Sequence, residues 1–250
     1  MNVEILKPNN NHNIWGFTGT LIWSAVIAIL FITIQIITMI AYIGLNHPDI
    51  NPEGIEGVMK QIQYNGLFLS FATLATFLGC SLIMFGIIKL KKGANIQHYL
   101  SLNLVDYKTT RFWFLVIVGM ILISEAITYL LGKPLVPEFV TSIYSSTNAV
   151  WMLWIAIVIA APIFEELFFR GFVITGLSNT FMGPIGAIII SALTWAAIHV
   201  QYEFYLIFTI FIFGLVLGFI RLKTNSVLLT IGLHMFMNFL SMVQASIVVN

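Results

Sequence analysis

Glu165, Glu166 and Arg170 stand within APIFEELFFRG, Ala161–Gly171, a run that is otherwise apolar. Two further polar pairs occur in equally apolar surroundings: Trp195 with His199 in LTWAAIHV, and His234 with Asn238 in GLHMFMNF. Carboxylates and imidazoles are the side chains that most often move protons in catalysis. Imidazole and amide N–H groups are donors suited to a developing oxyanion. Together these residue types permit attack of an activated water on a carbonyl. They equally permit a structural salt bridge between helices, or a proton relay.

Spacing helps to separate their roles. Glu166 and Arg170 are four residues apart, so on a helix they share a face and can form an internal ion pair. Glu165 lies about 100° further round and is left to meet another partner. Pro162, three positions before Glu165, cannot donate to the helix ladder, so it bends the helix and frees a carbonyl. A lone histidine on an apolar helix is most often a hydrogen-bonded packing residue. Two of them, each four residues from a polar partner, in a chain that already holds a diacid, point beyond packing.

The surrounding composition makes these charges costly. The chain has 250 residues, of which 59% are hydrophobic and 8% charged, with a mean hydropathy of +0.98. Globular domains carry about 25% charged residues, so this is the composition of an integral membrane protein. A charge at bilayer depth costs about 2.5–3.5 kcal/mol, so three unpaired ones would cost up to roughly 10 kcal/mol. They must therefore pair or face a hydrated cavity. A net charge of +1 and the lack of a basic tail give no reason to expect a nucleic-acid partner. The single cysteine, Cys80, excludes an internal disulfide and a cysteine metal cluster. The polar start, with Lys7 alone charged positive in the first twenty residues, precedes an apolar run too long for a signal peptide, which reads as a retained span.

Seven segments have the length and apolarity of membrane helices, at 16–45, 67–88, 112–131, 149–178, 184–200, 204–220 and 226–249. The expected fold is an all-α polytopic transmembrane bundle of seven to eight helices, a single integral membrane domain over 1–250. Lys89, Lys91, Lys92, Lys108 and Arg111 mark the 89–111 loop as cytoplasmic, as Arg221 and Lys223 mark the 221–225 turn. The 46–66 loop is acidic on balance through Asp49, Glu53 and Glu56. Seven crossings of a multi-pass protein of the cell membrane then leave the N-terminus cytoplasmic and the C-terminus extracytoplasmic. Counting about 1.5 Å per residue from the cytoplasmic ends, Glu165 lies roughly 20 Å up, His199 about 22 Å, and His234 and Asn238 about 12 and 18 Å. All four can meet at one level.

In this order, on successive helices, Glu165-Glu166-x-x-x-Arg170, Trp195-x-x-x-His199 and His234-x-x-x-Asn238 resemble the motifs of the CAAX protease and bacteriocin-processing (Abi) family. This family of intramembrane glutamic endopeptidases includes the type II CAAX prenyl endopeptidases. The motif-bearing core spans about 145–240, and Trp195 departs from the phenylalanine more usual there. The resemblance implies that Glu165 activates water with the help of His199, and that His234 and Asn238 line the oxyanion site. Glu166, Arg170 and Trp195 would support them. It implies a peptide or lipidated-protein substrate in contact with membrane lipid, and no cofactor.

Alternatives remain at this level. Glu165, His199 and His234 could ligate a zinc ion in a catalytic set of three, although no His-Glu-x-x-His occurs. Gly-x-Ser-x-Gly is also missing, and Asp49 and Asp106 lie in loops, which removes a membrane aspartyl dyad. A non-enzymatic reading is a bacteriocin immunity or scaffold protein, or a proton-coupled carrier, using the same groups structurally or as a relay. Glu125, level with Glu165, is expected to serve helix packing rather than a histidine. Glu203 and Arg221 are expected to snorkel at opposite surfaces, and the stretch LVDYKTTRFW to lie along the interface.

Overall fold

Lipid offers no partner to a backbone N–H or C=O, so apolar stretches that enter it must close their own hydrogen bonds as helices. The computed structural model describes residues 13–249. Among them there are ten helices, with Val150–Ser178 taken as one unbroken run, and no strand. They are α1 (Phe17–Asn46), α2 (Pro52–Ile62), α3 (Gly66–Leu90), α4 (Ile96–Tyr99) and α5 (Tyr107–Leu130). There follow α6 (Glu138–Ser145), α7 (Val150–Ser178), α8 (Gly183–Ala197), α9 (Phe204–Thr224) and α10 (Val227–Val249). Six of these, α1, α3, α5, α7, α9 and α10, are long and apolar enough to cross a membrane. The chain is an all-helical, multi-pass membrane protein. Lys7 lies outside the described residues.

The expected seventh span is shorter than its apolar run suggests. Helix α8 has 15 residues, about 22 Å of rise against a hydrocarbon core of about 30 Å. It stops at Ala197 because the chain folds onto its own last carbonyls. The His199 N–H bonds Ala196 O at 3.1 Å, and the His199 ring reaches Trp195 O. The turn through residues 198–203 completes the passage. At one end of the bundle, Arg221 near the end of α9 bonds Thr175 near the end of α7 and Ser101 after α4. At the other, Lys133 after α5 pairs with Glu203 before α9 at 2.7 Å. Helix α8 with its turn therefore carries the chain from the first end to the second.

Helix α7 is the axis of the bundle and packs against α3, α8 and α10. It is also irregular. Its backbone widens to π geometry over Ile155–Ala160 and again over Glu166–Val173, on either side of Pro162. Such bulges concentrate where a helix serves a site. Helix α1 lies outermost: of its 30 residues only Thr20 and Ile27 are buried. Thr33 and Thr38 satisfy their hydroxyls on carbonyls four residues back, as a lipid-facing helix requires.

Helix α6 closes the end at which α7 begins. Its Val140 and Ile143 join Leu153, Met242 and Ala245 in one apolar cluster. Ser146, just past α6, locks it to the start of α3, accepting from Gly66 N at 2.9 Å and donating to Tyr64 O at 2.8 Å. Gly66 has to be glycine here, because a Cβ would overlap the Ile143 carbonyl oxygen. Backbone cannot rotate away as a side chain can. Gly66→Ala should thus lower stability by about 1–3 kcal/mol, read as a fall in the thermal midpoint of the detergent-purified protein.

Two expectations need correction. Helix α5 starts at Tyr107, not near 112, because Asp106 caps it: its carboxylate accepts the Thr109 hydroxyl at 2.6 Å and the Thr109 N–H at 3.1 Å. Those bonds hold the Asp106 carboxyl below its usual range. The stretch from Tyr107 to Trp113 is therefore the first turns of a long helix rather than a separate interfacial segment. Arg221 does not snorkel. It is 4% exposed, and its guanidinium donates to Ser101 Oγ at 2.7 Å, Thr175 Oγ1 at 2.9 Å and Asn225 Oδ1 at 3.2 Å. Both Ser101 and Asn225 adopt positive φ, 51° and 49°, which turns their loops back toward this one cation. Glu125 packs as expected, accepting from Gln244 of α10.

Candidate active site

The cluster begins with the buried pair. Glu166 Oε1 lies 2.9 Å from Arg170 Nη1, and both side chains are wholly buried. The same Oε1 faces His234 Nδ1 of α10 at 3.1 Å. One carboxylate oxygen thus ties α7 to α10 and neutralises a guanidinium. Charge alone does not satisfy that guanidinium, whose N–H groups find no aligned acceptor among the described residues. The face of Trp195 from α8 supplies the rest, with Arg170 Cζ 4.2 Å from the ring centroid, a cation–π contact that gains strength away from water.

Glu165 is set apart, as its helical position predicts. It is half-buried where Glu166 is sealed. Its Oε2 accepts from Trp195 Nε1 at 2.6 Å. Both imidazoles stand nearly perpendicular to the same indole, His199 at 5.4 Å and His234 at 5.2 Å between centroids. Helices α7, α8 and α10 therefore bring Glu165, Glu166, Arg170, Trp195, His199 and His234 together around one aromatic ring. His199 lies beyond the end of α8 rather than on it, and is half-buried.

The hydrogen bonds also fix chemistry. His199 Nδ1 sits 2.8 Å from Trp195 O. A backbone carbonyl can only accept, so Nδ1 carries the proton and Nε2 keeps its lone pair. A ring held in this tautomer is suited to accept a proton or to orient a water.

Asn238 is placed differently from the others. Its Nδ2 donates to Ile157 O at 2.8 Å, eight residues before Glu165 on α7. That carbonyl is free for a clear reason. The N–H of Ala161, its ordinary α-helical partner, bonds Ala156 instead, and Pro162 has no N–H to complete the π pattern. Asn238 thereby anchors α10 to the bulge, and the second N–H of its amide is left for another acceptor.

Tyr202 and Phe139 escape sequence reasoning. Tyr202 stacks on His199 at 6.2 Å and 14°, and Phe139 of α6 meets Tyr202 edge-on at 5.7 Å. They close the cluster on the α6 side. Aromatic residues in a loop and a short helix carry no spacing signal that would assign them there.

Among the described residues no three His, Cys, Asp or Glu side chains gather as a metal requires.

Fold and cluster together define a polytopic helical membrane protein with a diacid and a guanidinium midway along its most buried span, met there by two imidazoles from neighbouring segments. Residues 147–240 match the family model described as type II CAAX prenyl endopeptidase Rce1-like. That segment is under half of the chain, but it contains every acid, guanidinium, imidazole and amide of the cluster, and it is similar to membrane proteases of the CAAX type. Neither a curated protein nor a solved structure matches the chain.

Proposed function

We propose that the chain is a metal-independent intramembrane endopeptidase with Glu165 as its general base. The observation that carries this reading is the division within the diacid: Glu166 is sealed in the bundle with its Oε1 against Arg170 and His234, whereas Glu165 is half-buried, held through Oε2 alone, and so open to a water. A water between Glu165 Oε1 and His199 Nε2 gives one proton to the carboxylate as its oxygen attacks the peptide carbonyl. The carbonyl oxygen becomes negative, and His234 Nε2–H and the second Asn238 N–H stabilise it. With both ring nitrogens protonated, His234 donates to Glu166 and to the oxyanion together, with Glu166 as counter-charge. Collapse of the intermediate breaks the C–N bond, and the proton held by Glu165 passes to the departing amine.

The catalytic core is 145–240 within one membrane domain. Its substrate is a peptide or lipidated protein presented at the membrane. The basic residues of the 89–111 segment and Lys223 gather at the end where Arg221 sits, which supports a cytoplasmic placement of that end and of the N-terminus. The C-terminus is then extracytoplasmic.

The test is cleavage by the purified protein in liposomes, using a panel of prenylated, acylated and plain peptides with products identified by mass. Hydrolysis at a defined bond that survives exhaustive chelation is expected. No cleavage across the panel, or cleavage abolished by chelation and restored by zinc, defeats the reading.

A further inference from the structure

The sequence places Trp195 among supporting residues, one aromatic ring among many. In the fold it touches an acid, the guanidinium and both imidazoles of the cluster. Its indole N–H donates to Glu165 Oε2 at 2.6 Å, and its ring face carries Arg170 Cζ at 4.2 Å. Its ring stands at 80° to those of both His199 and His234, and its own carbonyl accepts from His199 Nδ1 at 2.8 Å. It is itself 2% exposed, so packing leaves it no alternative position.

From this geometry we infer that Trp195 is the positioning residue of the site, and that its N–H, rather than its bulk, is what the site needs. The inference rests on the peptidase reading for its functional part. An indole N–H donates and never accepts, so it can hold a carboxylate oxygen without competing for the water. Because a carboxylate is planar, tying Oε2 to a rigid, buried donor fixes the direction of Oε1 as well. Without that donor, Glu165 is a flexible side chain with several rotamers, and only some of them place Oε1 against a water shared with His199. The same ring touches the surroundings of both acids. Its face lies against the guanidinium serving Glu166, while its N–H serves Glu165. Phenylalanine would keep an aromatic face for Arg170 but would lose the bond to Glu165 together with the volume of the indole's second ring.

Two measurements test this, one without substrate. In protein labelled at the indole nitrogens, the six tryptophans give six N–H resonances. The one missing from Trp195→Phe, or from Trp195→Tyr if the first variant does not fold, belongs to Trp195. Glu165→Ala removes its acceptor, and of the remaining signals this one is expected to move furthest. A shift no larger than those of the other tryptophans overturns the contact. In the peptidase assay, Trp195→Phe is expected to lower kcat by about tenfold to a hundredfold with KM within about twofold. An unchanged kcat overturns the positioning role. The resonance is read without substrate, so a failed contact and a failed peptidase reading give different results.

Discussion

Glu165→Gln leaves the bundle folded and slows peptide hydrolysis by about 10²–10⁴-fold, the usual contribution of a general base. The substitution isolates chemistry from architecture. A glutamine carbonyl oxygen still accepts from Trp195 Nε1, so the 2.6 Å contact and the packing around it survive. What disappears is the ability to take a proton from water. Initial rates in liposomes, compared at equal protein with thermal midpoints measured alongside, give the answer. A variant with an unchanged midpoint and a wild-type rate would remove Glu165 from the mechanism.

The opposite outcome is expected one turn along the helix. Arg170→Met should cost about 3–5 kcal/mol, because it leaves the Glu166 carboxylate sealed in the bundle without its cation. Both partners are wholly buried, so water cannot replace what is lost. A loss of that size is a large part of the 5–15 kcal/mol that holds a typical domain together. The variant should therefore accumulate poorly and unfold early, whatever its activity. Adding Glu166→Gln to it removes the orphaned charge and should recover part of the midpoint, though His234 then loses its carboxylate partner as well. Arg170→Met as stable as wild type, by midpoint and by yield, would show that the pair does not hold α7 in place.

Much of this could be read from residues alone, and the reasons differ by element. The long spans are legible because lipid permits only helix, and about twenty apolar residues announce one. The partition of the diacid follows from the helical angle between Glu165 and Glu166. Meeting of the acids and imidazoles at one level follows from counting residues along antiparallel rods. The π segments of α7 were not legible, since they depend on which N–H each carbonyl captures, and of that only the gap left by Pro162 shows in the sequence. For the same reason Asn238 could be placed near the depth of Glu165 and the histidines but not on Ile157. Helix α8 ends early through a side-chain bond from His199 to Trp195 O, which no apolar count reveals. Arg221 looks like an ordinary boundary cation. Only the tertiary approach of Ser101 and Thr175 shows that it is an internal tie. Trp195 was visible as an aromatic; its donor role needed the position of Glu165.

The central claim is that a carboxylate at position 165 and the His199 imidazole act on one water in a shared hydrated space. Chemical rescue measures this directly. Glu165→Ala removes the base and leaves room beside Trp195 for a small carboxylate, so added formate should restore hydrolysis in proportion to its concentration, with little recovery in Glu165→Ala combined with His199→Ala. A wild-type rate for Glu165→Ala without formate, or equal rescue of the single and double variants, would contradict it.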